Sequence, residues 1–148
     1  DHAGAAAAAA EIESRRPRAP GKIDGVAFDD LRDADDVLAA FVEVHTAAGE
    51  YMWVPVERLR ALSFDEPKRP RDLYWRRCTI ETKDGQEGVV YMPAIYPWTA
   101  KDMPNPLRLG RGTEWQDDAG LVRGLGMREF LIGEEAKTLA ELTEVTFD

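Results

Sequence analysis

The pair Asp84-Gly85 constrains this chain more than any other feature, because it sits between two strand-like runs, Arg77–Lys83 and Gln86–Met92. Asp-Gly favours the left-handed backbone of a tight hairpin, and a hairpin of this kind commits its surroundings to an antiparallel sheet. A two-residue turn pairing Lys83 with Gln86 sets Ile80 opposite Val89 and Cys78 opposite Tyr91. Those four side chains would then share the buried face of a half-buried sheet. Further strands are predicted at Tyr51-Met52-Trp53-Val54, stopped by Pro55, and as a closing pair over 127–132 and 138–147 about Gly133. A short helical turn is predicted over 56–61. Pro93, Pro97, Pro104 and Pro106 turn residues 93–110 into a long irregular loop, weighted down by Tyr96, Trp98 and Met103.

One principal helix is predicted over about 30–48. Asp29, Asp30 and Asp33 suit its N-cap and first turn, and Ala34, Val37, Leu38, Phe41, Val44 and Ala48 recur at helical spacing before Gly49. The fold class expected is α+β: a small antiparallel β-sheet with one principal helix and a long Pro-rich loop. Residues 1–21 read as a linker or partly helical tail, since the alanine run Ala5–Ala10 is marginal as an isolated helix and Pro17 and Pro20 follow it. Extension or disorder is expected up to Gly21, and the folded domain over 22–148. The chain starts without Met, which reads as a missing N-terminal partner domain.

Composition excludes several function classes. The single cysteine, Cys78, allows no internal disulfide and points to a reducing compartment. With His2 and His45 as the only histidines, a nitrogen–sulfur metal cluster has too few ligands, and neither metal nor organic cofactor is expected. The net charge of −9 argues against nucleic-acid binding. No run approaches the ~20 apolar residues of a helical span, so membrane insertion is not expected. The charge is uneven: residues 1–50 carry −6, residues 51–111 carry +3 and residues 112–148 carry −6. A basic middle between acidic ends reads first as self-neutralisation, and second as a patch for an acidic partner.

Candidates for chemistry are few. Cys78 lies mid-strand with no histidine near it in sequence, and reads as a small buried hydrophobe. The run Asp29 to Asp36 lacks the glycine and terminal glutamate of a calcium loop. Glu50 and Glu57 flank an aromatic strand and would form an acid–base pair if they converged. Arg69, Arg71 and Asp72 set guanidinium forks beside a carboxylate, next to Tyr74 and Trp75. The plainer account of these charges is structural ion pairing. Trp53, Trp75, Trp98 and Trp115, with Tyr51, Tyr74, Tyr91 and Tyr96, support two readings: a tryptophan-rich core, or a groove for a partner's apolar segment.

The segments Gly49-Glu50-Tyr51-x-Trp53-Val54-Pro55-x-Glu57-Arg58, Pro67-Lys68-Arg69-x-Arg71-Asp72-Leu73-x-Trp75-Arg76, Met92-Pro93-Ala94-x-Tyr96, Leu109-Gly110-Arg111-x-Thr113-x-Trp115 and Gly124-x-Gly126 occur in this order. Together they resemble the ImpE family, whose members, also called SciE or TagJ, are accessory proteins of bacterial type VI secretion. The one departure is Glu114 before Trp115, where the family pattern has Asp. The resemblance runs from about Gly25 to Phe147 and implies the α+β second part of a two-part protein whose first part is helical and tetratricopeptide-like.

It further implies a cytoplasmic, non-enzymatic factor that binds the small subunit of the contractile sheath and bears on sheath assembly or on recycling by the associated AAA+ ATPase. Partner binding is expected through an amphipathic helix in an aromatic groove or through strand addition at a sheet edge. The resemblance carries no catalytic residues. It leaves a set that is either partner-binding or fold-defining: Glu50, Tyr51, Trp53, Glu57, Arg69 and Arg71, with Asp72, Trp75, Tyr96, Arg111, Thr113 and Trp115. The alternative, from the residues alone, is a small hydrolase or ligand-binding domain using Glu50, Glu57 and the Arg69-Arg71-Asp72 segment.

Overall fold

Closely spaced glycines and prolines cut the chain into short strands, and the computed structural model, which describes residues 1–148, pairs all of them antiparallel. In chain order the elements are α1 (His2–Arg15), β1 (Gly21–Ile23), β2 (Val26–Phe28), β3 (Leu31–Asp33), β4 (Phe41–Thr46), β5 (Tyr51–Pro55), β6 (Leu59–Phe64), β7 (Trp75–Thr82) and β8 (Glu87–Pro93). There follow α2 (Asn105–Arg108), β9 (Thr113–Asp118), β10 (Leu121–Gly126), β11 (Glu129–Ile132), β12 (Glu135–Thr138) and β13 (Glu144–Phe147). Single 3-10 turns lie at Val56–Arg58, Pro70–Leu73 and Leu139–Glu141. The main sheet has eight strands in the order β2-β1-β13-β6-β7-β8-β4-β5, larger than the small sheet expected. A three-stranded sheet β12-β11-β3 shares its core, because Leu31, Phe130 and Ile132 pack in one cluster with Val42, Leu62, Cys78, Val90 and Val145. The β9–β10 hairpin stands apart as a third sheet.

The hairpin at Asp84-Gly85 forms, but one residue out of the expected register. Ile80 pairs with Gly88 and Cys78 with Val90, not with Val89 and Tyr91. The connection holds three residues, Lys83, Asp84 and Gly85: the Thr82 amide donates to the Gln86 carbonyl at 2.8 Å and the Gly85 amide to the Thr82 carbonyl at 3.0 Å. One extra turn residue exchanges the faces of β8. Val90 and Met92 therefore join Cys78 and Ile80 inside, while Tyr91 is half-exposed.

The helix expected over 30–48 does not exist. Residues 31–33 are β3, 34–40 turn back on themselves, and 41–46 are β4. The Asp35 carboxylate accepts from the Val37 and Leu38 amides at 2.8 and 3.1 Å, which is the capping bond of a helix start, but it closes only one turn. Val42 and Val44 then alternate along a strand paired on both sides, with β5 and β8. The apolar spacing fits both periods, and tertiary pairing selects the strand. Likewise β13 alone covers the end of the stretch expected as one strand over 138–147. Thr138 closes β12, and a 3-10 turn separates it from β13. Gly133 does sit in a tight turn, with Ile132 paired to Glu135. Residues 94–112 hold only the single turn of α2.

The principal helix is instead the alanine-rich α1, which lies beside β9 and β10. No residue of it is fully buried. Charge fastens its end: just past it, Arg16 reaches the Asp30 carboxylate at 2.6 Å and Glu13 at 2.9 Å, and the Ala19 amide donates to Asp30 at 3.0 Å. Burial alone would raise the Asp30 carboxyl, but the bonds from Arg16, Ala19 and Arg18 outweigh it and hold the group well below the usual carboxylate range.

Gly85 has φ +88° with nothing within 4 Å of a Cβ built there, so a substitution meets backbone strain alone. Gly85→Val should cost about 1–3 kcal/mol, read as a lowered thermal midpoint, with Gly85→Asn milder because Asn tolerates the left-handed region. An unchanged midpoint for Gly85→Val contradicts this turn.

Candidate functional site

Arg128 is 2% exposed and lies between two carboxylates that are themselves buried. Its guanidinium donates to Asp33 at 2.8 Å, to Glu43 at 3.1 Å and to the Pro93 carbonyl at 2.9 Å. Its charge also sits over the Tyr96 ring, 5.1 Å from the centroid. The Tyr96 hydroxyl donates to Asp33 at 2.7 Å and accepts from the Glu129 amide at 3.1 Å. Burial pushes both the Asp33 carboxyl and the Tyr96 phenol above their ordinary values; for Tyr96 the neighbouring Asp33 charge adds to the effect. Gly124 makes room for the Tyr96 ring, since a Cβ there would lie 2.2 Å from Cε2. Asp35 completes this polar core by accepting from the Trp98 indole at 2.7 Å and the Gly124 amide at 2.8 Å.

The network ends at the surface. The second oxygen of Glu43 accepts from the Tyr51 hydroxyl at 2.7 Å, and that hydroxyl accepts from the Trp53 indole at 2.6 Å. Tyr51 also stacks against His45 at 5.0 Å between centroids, and His45 meets Trp75 edge-on at 4.9 Å. Tyr51, Trp53 and Trp75 are 53%, 39% and 45% exposed despite these bonds. Tyr51 and Trp53 are on β5, the edge strand with a neighbour on one side only, and Trp75 is on β7; with His45 of β4 between them they form an aromatic ridge across one face of the main sheet.

Beside the ridge lies an open cleft of about 1030 Å³, lined by His45, Trp75 and Tyr91 and by the charged residues of 65–77. A smaller hollow of about 370 Å³ on the other side of Trp75 mixes Tyr74, Pro93, Ile95 and Pro97 with Glu43, His45 and Tyr51. Trp75 and His45 line both. In the cleft, Arg77 is paired with Asp65, and Asp72 accepts from the Lys68 and Arg69 amides at 3.0 Å each. Those amides hold the Asp72 carboxyl below its ordinary value.

The structure divides the residues singled out in the sequence. Tyr51, Trp53, Trp75, Arg69, Arg71 and Asp72 belong to the ridge and its cleft. Glu50 is in the β4–β5 turn, and Glu57 is beyond the far end of β5 beside Ile12 and Arg16. Strand geometry separates these two carboxylates by roughly 20 Å, so they do not form the acid–base pair considered above. Tyr96 is buried behind the ridge. Thr113 donates to the Met127 carbonyl at 2.8 Å, and Trp115 packs edge-on against Tyr96 at 6.0 Å; with Arg111 they belong to the β9 region and line neither hollow.

Sequence reading missed Asp33, Glu43, His45, Arg76 and Arg128. A charged residue between apolar neighbours, as Glu43 stands between Val42 and Val44, was the available signal. Cys78 is fully buried, and burial pushes its thiol up to about 12, which leaves it protonated at neutral pH. No helix is long and apolar enough to cross a membrane.

Comparison with known proteins agrees with this architecture. Residues 25–146 match the family model described as ImpE protein. The chain is 36% identical over 132 residues to a Pseudomonas aeruginosa protein named type VI secretion system accessory component TagJ, covering 89% of this chain and 46% of that protein. A crystal structure of a Vibrio parahaemolyticus protein superposes with a TM-score of 0.89 at 27% identity, over 97% of this chain and 54% of the other. The chain thus spans about half the length of each.

Removing Arg128 leaves two buried carboxylates without their cation. Arg128→Met should cost about 3–5 kcal/mol, read as a lowered denaturant midpoint. Adding Asp33→Asn and Glu43→Gln should recover part of that loss. A cost near zero for the single variant contradicts the role given to this residue.

Proposed function

The chain belongs to the ImpE family, and from that premise we propose that it is a type VI secretion accessory domain that works by binding, not by catalysis. The segment it binds belongs to the small subunit of the contractile sheath, in the cytoplasm. Its binding bears on sheath assembly or recycling. A helical domain, in the half of its relatives' length that this chain does not span, completes the protein.

The observation that carries this reading is the aromatic ridge. Tyr51, Trp53 and Trp75 stay half-exposed: the polar atoms of Tyr51 and Trp53 are tied to the buried Glu43, and Trp75 rests edge-on against His45. Aromatics held rigid in this way supply binding area at little entropic cost, as interface anchors do. The hollow beside Trp75, with Pro93, Ile95 and Pro97 in its lining, would receive one side of an amphipathic helix, and the free edge of β5 would take strand addition. The candidate groups for hydrolysis are already committed. Asp72 accepts from the Lys68 and Arg69 amides, and the buried Asp33, outside the set considered for hydrolysis, has its oxygens filled by Arg128, Tyr96 and the Asp35 amide. Glu50 and Glu57 point to different regions, and the Cys78 thiol is closed off.

Trp75→Ala and Tyr51→Ala should keep the fold, because both side chains are about half exposed, and should weaken binding to purified sheath small subunit. The expected loss is about 2 kcal/mol, or roughly 30-fold in Kd, measured by calorimetry with circular dichroism as the folding control. Folded variants with wild-type affinity would place the contact elsewhere, above all on the half of the protein outside this chain.

A further inference from the structure

Arg76 is a buried cation without a carboxylate. It is 5% exposed and donates only to carbonyls: Asp65 at 3.0 Å, Leu139 at 2.8 Å, Ala140 at 3.3 Å and Leu142 at 3.0 Å. No ion pair neutralises it, and it borders the cleft beside Trp75 while its side chain lies on the other face of β7 from Trp75 and Arg77. The rest of the cleft does not supply the missing charge. Asp65 is taken by Arg77, Asp72 is taken by two backbone amides, and Glu66 forms no ion pair with any of the cations. Lys68 and Arg69 make no ion pair at all, and Arg71 lies 4.0 Å from Asp72. The cleft therefore holds five cations against three carboxylates, in a chain whose net charge is −9.

We propose that this cleft receives an acidic segment of a protein partner, with its carboxylates on Arg69 and Arg71 and its carbon chain against Trp75. The exposed guanidinium forks of Arg69, which is unpaired, and of Arg71, 4.0 Å from Asp72, match carboxylates in a bidentate way. A cleft of about 1030 Å³ is at the upper end of the range that holds small ligands, and Trp75 and His45 stand between it and a second hollow that carries Pro93, Ile95 and Pro97. Charge beside hydrocarbon suits a peptide segment. A nucleic acid fits poorly, since Asp65, Glu66 and Asp72 interrupt the basic surface and would face its regular phosphates. The inference rests on the reading that the domain holds a protein segment, and does not require the sheath subunit to be that protein.

The test is an NMR titration of the 15N-labelled chain with a short blocked poly-glutamate peptide, the matched poly-glutamine peptide, and inorganic phosphate. Poly-glutamate should shift the Trp75 indole and the Arg69 and Arg71 side-chain signals in one saturable process, and poly-glutamine should not. The double variant Arg69→Glu, Arg71→Glu should raise the apparent Kd by about tenfold or more. Moving from about 0.01 to about 0.1 M salt should weaken binding as the screening length falls from ~30 to ~10 Å.

Equal response to both peptides, shifts confined to other surfaces, or an unaffected double variant would overturn the proposal. So would phosphate saturating the same signals at lower concentration than poly-glutamate, which would make the cleft a phosphate site. If poly-glutamate fails while the sheath subunit still binds in a Trp75-dependent way, this inference falls and the function above stands. The converse result removes the sheath subunit as partner and leaves the acidic-segment cleft.

Discussion

A single buried guanidinium, that of Arg128, ties together parts of the chain that no local rule brings near one another. It joins Asp33 at the end of β3, Glu43 in the middle of β4, the carbonyl of Pro93 at the end of β8 and the ring of Tyr96 in the loop beyond. Arginine is suited to this because its planar fork satisfies several acceptors at once and its charge is not lost on burial. Burying an ion is costly, and the cost is met only where its partners are placed with good geometry. Here every partner is also held by something else: Asp33 by the Asp35 amide and Tyr96, Glu43 by Tyr51, and Tyr96 by the Glu129 amide. The three-stranded sheet and the main sheet are thereby fastened by charge as well as by their shared apolar core.

The surface site depends on this interior. Tyr51 and Trp53 are exposed on an edge strand, the least constrained place in a sheet. Their hydroxyl and indole are nevertheless fixed in a chain that leads through Glu43 to Arg128. A ridge prepared in this way loses little freedom when a partner covers it. The neighbouring cleft is built differently, with three of its five cations, Lys68, Arg69 and Arg71, supplied by a short irregular stretch around the 3-10 turn at Pro70–Leu73.

How much of this was legible in the sequence differs from element to element. The Asp84-Gly85 turn and the Gly133 turn were, because the left-handed backbone they need is a local property of glycine. The register was not, since one more turn residue, Lys83, exchanges the two faces without changing any propensity. The acidic run from Asp29 to Asp36 was misread as a helix start for a physical reason: capping an Asx turn and capping a helix use the same bonds. What decides between them is the set of partners of Asp33 and Asp35. Those partners, Tyr96, Trp98, Gly124 and Arg128, are 63 to 95 positions away. The segments that carry the family resemblance were visible, but which of them face a partner was not. Tyr51 and Trp75 proved to be surface groups, while Tyr96, which reads much the same in sequence, is part of the core.

Native-state hydrogen exchange tests most directly whether the Arg128 network makes the two sheets one unit. The informative amides are those of Arg128, bonded to Ala94, of Ala34, bonded to Glu129, and of the β4 and β5 ladders, compared with those of β6, β7 and β8. If the buried charge holds the structure together, the slowest amides of all these segments exchange with one common free energy, that of global unfolding. Exchange of β3, β4 and β5 through a separate opening of lower free energy, while β6 to β8 stay protected, would show that the aromatic ridge stands on a part of the fold that Arg128 does not secure.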